Sequence, residues 1–419
     1  MNLLVALEHR FERTPDGKVW TLTMFPYSFW IRYLEVFDHV RVVACVREVS
    51  SVPTGWKRAD GEGVSFVAVP YYVGPVQYLW RIRQVQQAIA NALTLNDAVI
   101  LRVSSQMANH FLPILRRNHY PYGVEVVADP CDVFTSGSVR HLLKRFLCWL
   151  FSPQLRRLCT EACAAAYLTE RTLQHRYPPG IKTFSTYFSD VELPNSAFVC
   201  LPRILTPAKD FVSLIYVGTM DQLYKAPDVL IEAVARCIWE GLNLKLVLIG
   251  DGKHRPELET KAAVLGVGEY VNFLGWLPAR NDVHTQLDKA DLFVLPSHQE
   301  GLPRTMVEAM ARGLPCIGST VGGIPELLLC EDLVPPGDVI ALARKIREVV
   351  TDPQRMARMS VRNLQKAKKY IDKRLREQRI EFYCYIRETT QVWLNEQKQE
   401  YWQALDQLEN RAYLTRSHW

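Results

Sequence analysis

Two glutamates, Glu300 and Glu308, stand eight positions apart in Ser297-His298-Gln299-Glu300-Gly301-Leu302-Pro303-Arg304-Thr305-Met306-Val307-Glu308-Ala309-Met310-Ala311. A hydrophobic run, Leu292 to Leu295, leads in, and a helical pattern, Arg304 to Arg312, leads out. Gly301 and Pro303 make the turn between them tight, and Pro303 suits the first turn of a helix. The N–H groups of Gly301, Leu302, Arg304 and Thr305 are then expected to point outward, unpaired and partly positive. Such a turn receives an anionic phosphate. Glu300 ahead of it and Glu308 further along the helix would grip sugar hydroxyls on either side of that phosphate.

Further blocks accompany this segment in a fixed order. Ile215-Tyr216-Val217-Gly218 and Lys225-Ala226-Pro227-Asp228-Val229 read as a strand, a loop and a helix start. Leu248-Ile249-Gly250-Asp251-Gly252 reads as a second strand and turn. Phe273-Leu274-Gly275-Trp276-Leu277-Pro278, Gly313-Leu314-Pro315-Cys316-Ile317-Gly318, Val321-Gly322-Gly323-Ile324-Pro325-Glu326 and Leu333-Val334-Pro335-Pro336-Gly337-Asp338 follow. Together they resemble the donor half of GT-B glycosyltransferases, specifically the retaining family 4 with its E-x7-E signature. The resemblance spans about 125 residues. It implies two Rossmann-like α/β domains facing a cleft, with a C-terminal helix crossing back to the first.

The resemblance also implies roles. Glu300 would contact the transferred sugar and stabilise positive charge at its anomeric carbon, and Glu308 would bond the nucleotide ribose. Lys225 would meet the diphosphate leaving group, where a fixed charge counts most as the bond breaks. Gly218, Gly250, Gly301, Leu302, Pro303 and Arg304 would complete the donor site. Gly275 and Trp276 lie where relatives hold the base, so Trp276 is either an aromatic wall or a core residue. His298 either touches phosphate or sugar, or packs. One departure stands out. Relatives place an arginine after the strand glycine, in a G-R-x(5)-K-G arrangement, but this chain has Thr219 and then Lys225-Ala226. Arg255 and Arg304 are the candidates to replace it.

The sequence lacks a D-x-D motif, so no metal on the diphosphate and no cofactor are expected. Front-face transfer, with the leaving phosphate taking the acceptor proton, needs no side-chain base. The expected reaction moves a hexosyl unit from a nucleotide diphosphate sugar to a hydroxyl acceptor with retention, as in polysaccharide or glycolipid synthesis. The rivals are a non-catalytic GT-B binding or scaffold protein, a glycoside hydrolase, whose retaining form needs carboxyls about 5 Å apart, and a nucleotide-sugar epimerase.

These residues must be held by alternating strands and helices. From 211 to 351, short apolar runs alternate with amphipathic stretches, the pattern of a doubly wound parallel sheet whose ligands bind beyond the strands' carboxyl ends. Strands are expected at Phe211–Val217, Leu244–Ile249, Val271–Leu274, Leu292–Leu295 and Pro315–Gly318. Helices are expected near Pro227–Trp239, Arg255–Leu265, Val283–Lys289, Thr305–Arg312 and Val339–Val350. A weaker version of the pattern covers the first half, with strands starting at Leu3, Val40, Val64, Ala98, Val124 and Ala164. The reading divides the chain into an acceptor domain, 1–200, a donor domain, 201–369, and a crossover with tail, 370–419. Pro194 to Pro207 is the expected connection, and Tyr370–Tyr385 the expected crossing. Acceptor or cleft candidates are Gly17, in the region of the relatives' Gly-rich loop, Arg102 in Arg102-Val103-Ser104-Ser105, His110, and Asp129 in Asp129-Pro130-Cys131-Asp132.

A chain of 419 residues exceeds one ordinary core and fits two domains. Its 48% hydrophobic and 22% charged content is that of a soluble globular protein, and no apolar run reaches the ~18 residues of a membrane span. Ten cysteines without C-x-x-C pairs suggest neither zinc nor a disulfide framework, hence a reducing cytoplasm. A net charge of +6 permits anionic ligands or an anionic membrane surface. The stretch His141 to Phe151, with Arg156 and Arg157, either lies on such a membrane at its inner face and delivers a lipid-linked acceptor, or is a helix packed on the sheet. With no recognised module and no large basic excess, nucleic acid is not an expected partner.

Overall fold

The computed structural model describes residues 1–416 except 23, 95, 104, 134–143, 192, 204–209 and 278–279; at 75, 132–133, 144–147 and 400–416 it describes the backbone alone. Ser104, His141 to Leu143, Pro207, Pro278 and Trp419 therefore lie outside the described residues.

The first half forms strands β1 (Leu3–Arg13), β2 (Val19–Thr21), β3 (Val40–Glu48), β4 (Lys57–Arg58), β5 (Val64–Pro70), β6 (Ala98–Val103), β7 (Gly123–Val126), β8 (Ala164–Tyr167) and β9 (Phe184–Tyr187). Seven of these make a parallel sheet in the order β5-β3-β1-β6-β7-β8-β9, and β2 and β4 extend it antiparallel from the end of β1. Its inner strands are buried on both faces, which is why β6 reads as an unbroken apolar run apart from Arg102. Between Ala6 and Arg10, β1 slips register against β3. Within that slip, Glu8 accepts the Gln106 N–H at 2.8 Å, at the start of the Gln106–Arg117 helix.

Helices cover both faces. Gly74–Ala92, Gln106–Arg117 and Lys144–Glu161 pack on one, burying Val85, Ile89, Phe111 and Leu158. On the other, Trp30, Tyr33 and Phe37 meet Phe382, Tyr383 and Ile386 of the C-terminal helix, Asp372–Arg416. Gly123 lets that helix come close: a Cβ there would sit 2.2 Å from Ile386 and 3.3 Å from Phe382.

The second half forms β10 (Val212–Val217), β11 (Leu244–Ile249), β12 (Val271–Gly275), β13 (Leu292–Leu295), β14 (Cys316–Ser319) and β15 (Leu333–Val334). All pair in parallel, in the order β12-β11-β10-β13-β14-β15, which is the doubly wound Rossmann order. Strands expected at Leu244–Ile249 and Leu292–Leu295, and helices expected at Pro227–Trp239 and Val339–Val350, form with those bounds. Leu333-Val334, outside the expected strands, closes the sheet as β15. The helix expected from Thr305 starts at Arg304, and Pro303 precedes it as N-cap instead of lying in its first turn.

The chain passes between the halves twice, side by side. Leu193 and Ile371 form an isolated parallel bridge, and Asp372 N–H donates to Leu193 O at 3.0 Å. The expected crossing at Tyr370 thus leads into the C-terminal helix where it meets β8 and β9. Removing the Phe382 ring would leave a cavity between helix and sheet. Phe382→Ala is expected to lower stability by about 3–5 kcal/mol. Urea unfolding followed by tryptophan fluorescence checks this, and an unchanged midpoint would show that the crossover adds nothing to the first half's stability.

Candidate active site

The carboxyl ends of the second sheet bring the signature residues together. Gly218, after β10, donates its N–H to Ile249 O at 2.9 Å, and Gly250, after β11, donates to Gly275 O at 2.9 Å. The three glycines therefore run as one edge across β10, β11 and β12. Past Gly218 the chain turns through Thr219, whose hydroxyl accepts the Asp221 N–H at 3.2 Å, and reaches Lys225. Ala226 follows in the left-handed region (φ 53°) and is buried. Glycine suits that conformation far better, so the K-A step carries backbone strain absent from a K-G step. The Pro227–Trp239 helix then starts with proline in its first turn and Asp228 near its positive end.

Lys225 is directed to Glu300. Its Nζ lies 3.0 Å from Glu300 Oε1, with both side chains largely buried. The same oxygen accepts the Ser297 hydroxyl at 3.0 Å, and Ser297 is fully buried. The His298 N–H donates to Tyr224 O at 2.7 Å, tying the Glu300 turn to the Lys225 loop. The His298 ring lies against Gly337, where a Cβ would be 3.2 Å from its Cε1. Leu302 and Pro303 are buried beneath the turn. Among the described residues, no hydrogen bond uses the N–H of Gly301, Leu302, Arg304 or Thr305. These amides open the Arg304–Ala311 helix at its positive end.

One helical turn on, Glu308 is partly buried. Burial raises its carboxyl above the ordinary value, while Arg280 and Arg304 pull the other way. Arg304 is exposed, and its charge also reaches Asp190 of the first half. Burial would raise the Asp190 carboxyl, but Arg102 and Arg32, with a share from Arg304, hold it well below the usual range. Arg255 is engaged elsewhere: it bonds Asp251 at 3.1 Å, Glu259 at 2.8 Å and Phe273 O at 3.3 Å, beside Gly275. Of the two candidates for the missing cation, Arg304 is thus the one facing the cleft. Trp276 is 73% exposed, which rules out the core position.

The turn faces the first half directly. A Cβ on Gly301 would lie 2.9 Å from Leu168 Cδ2 and 3.2 Å from Val127 O. The acceptor candidates fare differently. Arg102 is buried, paired with Glu125 and with Asp190 at 2.9 Å, so its guanidinium serves the core. Asp129 is buried too; it accepts from Cys131 N–H at 2.8 Å and Tyr177 hydroxyl at 2.7 Å and pairs with Arg176. His110 bonds Tyr78 at 2.6 Å and links two outer helices, and burial lowers its imidazole below the ordinary value. Gly17 is an exposed hairpin tip whose N–H returns to Thr14 O at 2.9 Å. The bonds of all four are made within the first half. Sequence reading gave no role to Ser297, Tyr224 or Glu326, all of which bond to the turn, its lysine loop or the facing domain. Ser297 and Glu326 had a signal, as the first and the last residue of quoted blocks; Tyr224 had none.

A cavity of about 820 Å³ lies elsewhere, at the amino ends of the first sheet, lined by Tyr120, Tyr122, Lys182 and Tyr385 among others. Among the described residues, no cluster of metal-ligating side chains occurs.

The two parallel-sheet α/β halves meeting at their strand ends have the GT-B fold. Residues 212–352 match the glycosyl transferases group 1 family. Protein CapJ of Staphylococcus aureus is 26% identical over 336 residues, 79% of this chain and 82% of CapJ. The amylovoran biosynthesis glycosyltransferase AmsK of Erwinia amylovora is 36% identical over 128 residues, 28% of this chain and 31% of AmsK. In three dimensions, Anabaena Alr3699/HepE, solved with UDP and glucose, superposes with a TM-score of 0.58 at 15% identity, over 92% of this chain and 98% of that one.

Lys225 and Glu300 hold each other against a largely buried background. Lys225→Met would leave the carboxylate without its cation, at a cost of about 1–3 kcal/mol. Lys225→Met with Glu300→Gln should recover most of that. Chemical denaturation of the two single variants and the double checks the coupling; additive losses would mean the pair does not interact.

Proposed function

We propose that this glycosyltransferase moves a hexosyl unit from a nucleotide diphosphate sugar to a hydroxyl acceptor, with retention at the anomeric carbon. The observation that supports this is the Lys225–Glu300 pair set beside the unbonded amides at the start of the Arg304–Ala311 helix. Ammonium and amides suit a diphosphate, and Glu300, already oriented by Ser297, suits the sugar beside it. Glu308 takes the ribose hydroxyls, and the exposed Trp276 offers a face to the base. Thr219 provides no charge, so Arg304 supplies the second cation. The acceptor oxygen bonds to the anomeric carbon as the bond to the diphosphate breaks, and the departing phosphate oxygen takes the acceptor proton. Neither a divalent metal nor a cofactor is required in this scheme. The part from 201 to 369 holds the donor and that from 1 to 200 the acceptor. HepE was solved with UDP and AmsK is named for amylovoran synthesis, which favours a nucleotide sugar and a polysaccharide or glycolipid product.

The test is incubation of the enzyme with UDP- and GDP-sugars and glycan or lipid-linked acceptors, with product analysis by mass spectrometry and NMR. Transfer with α-to-α retention is expected. Glu300→Gln should cut turnover by roughly 10²-fold or more. Full activity in that variant would remove Glu300 from the mechanism, and binding without transfer would favour the non-catalytic reading.

The acceptor reaches the enzyme at a cytoplasmic membrane face. Among the described residues, no helix is long and apolar enough to cross a membrane. The helices Gly74–Ala92, Gln106–Arg117 and Lys144–Glu161, however, present Trp80 (88% exposed), Leu79, Val76 and Trp149. Arg81, Arg83, Arg116, Arg117, Arg156 and Arg157 are exposed on them, and Glu161 is their one acidic residue. His110 to Tyr78 and Asn109 to Gln154 lace the three helices into one layer. Apolar and basic groups on one face suit anionic lipid. Trp80→Ser with Arg83→Gln should weaken binding to phosphatidylglycerol-containing vesicles by about tenfold, since each basic residue there contributes about 1 kcal/mol. Equal sedimentation of wild type and variant would exclude this face.

A further inference from the structure

We infer that Glu326 is a positioning residue: it couples the docking of the two domains to the shape of the Glu300 turn. Glu326 lies in a one-turn helix, Ile324–Leu327, after Val321-Gly322-Gly323. Its carboxylate accepts three consecutive N–H groups of the other domain, from Glu170 at 2.6 Å, Arg171 at 3.0 Å and Thr172 at 2.5 Å. Three successive amides converging on one point form an anion-binding concavity, and here the anion is supplied by the opposite domain. Lys366, also of the second half, reinforces the contact from 3.7 Å of Glu170.

The other end of the same loop grips the catalytic turn. Gly323 N–H donates to Gly301 O at 2.6 Å. Gly322, at φ 51°, presses so close that a Cβ would stand 1.8 Å from Glu300 O. A chain of contacts therefore runs from the 170–172 amides through Glu326 and the two glycines to the carbonyls of Glu300 and Gly301. Glu326 itself touches neither Lys225 nor the Glu300 side chain. Its influence passes through the backbone that aims that carboxylate. The domains cannot part at this contact without releasing one side of the loop that fixes the turn.

The kinetic arm of the test rests on the transferase reading, and the scattering arm does not. Glu326→Gln removes the charge and one acceptor oxygen while keeping the shape. It is expected to lower kcat about tenfold or more with the donor KM changed less than about threefold, because misaimed reacting groups lose rate and not binding. Its radius of gyration by small-angle scattering, alone and with UDP, should exceed that of the wild type. Lys366→Met should shift both in the same direction by a smaller amount, and it tests the contact even should Glu326→Gln fold poorly. A scattering profile that overlays the wild type, with kcat within about twofold, would overturn the inference. So would a rise in KM at constant kcat, which would place Glu326 in direct donor binding. A wild-type protein that transfers no sugar would defeat the transferase reading, and scattering would still decide whether Glu326 holds the domains together.

Discussion

The site depends on one ion pair held in low exposure. Lys225 and Glu300 stand 75 positions apart, Lys225 at the end of a short 3-10 helix, Leu223–Lys225, and Glu300 in an irregular turn. A lysine on a four-carbon stem loses much conformational freedom when fixed. The pair persists because its surroundings fix both ends. Ser297 orients the carboxylate, and the Tyr224 carbonyl takes the His298 N–H. The buried Leu302 and Pro303 anchor the turn from below. With both groups withdrawn from water, each would be costly alone, so each specifies the place of the other.

That arrangement explains why the two domains meet where they do. The Glu300 turn is bounded on one side by the Lys225 loop and on the other by Gly322 and Gly323. Beyond it stand Val127 and Leu168, each just past a strand of the first sheet, close enough that a Cβ at 301 would crowd both. The strand ends of both sheets thus converge on one backbone segment. The first domain's own ionic network, Arg102 with Glu125 and Asp190, lies just behind this meeting point and within electrostatic reach of Arg304. Charge on one side of the cleft is therefore felt on the other without a direct bond.

Much of the second half was legible in the sequence because its signals are redundant. β11 and β13 are apolar runs closed by turn residues, and the Pro227–Trp239 helix has proline and aspartate at its start. Local preference and buried pattern agree there. The first half was less legible for a physical reason. Strand ends in such domains are polar whether or not they bind anything, so Arg102 and Asp129 looked like cleft residues while their charges are spent on Glu125, Asp190, Arg176 and Tyr177. Pairings between residues distant in sequence decide that, and no local pattern records them. Short edge elements escaped for a related reason: β15 has two residues and β2 three, too few to show a period. Glu326 was visible as part of a motif, but its partners are main-chain amides of residues 170–172, which have no side-chain signature.

The departure at Thr219 bears on how this site meets a diphosphate. A second arginine beside Gly218 would place a fixed charge on the sheet edge, next to Lys225. Thr219 instead spends its hydroxyl on the Asp221 N–H, and Arg255 is bound to two carboxylates and a carbonyl. Around the Glu300 turn the positive character includes the Lys225 ammonium, the start of the Arg304–Ala311 helix, equivalent to roughly half a charge, and the exposed guanidinium of Arg304. On the β11 side, the exposed Lys253 lies in the turn after that strand, its N–H on Asp221. The left-handed Ala226 holds the Lys225 loop in a conformation that its own sequence disfavours. The constraint that fixes the lysine is thus tertiary, set by Glu300 and Tyr224, and the loss of one cation is offset by how firmly the other is held.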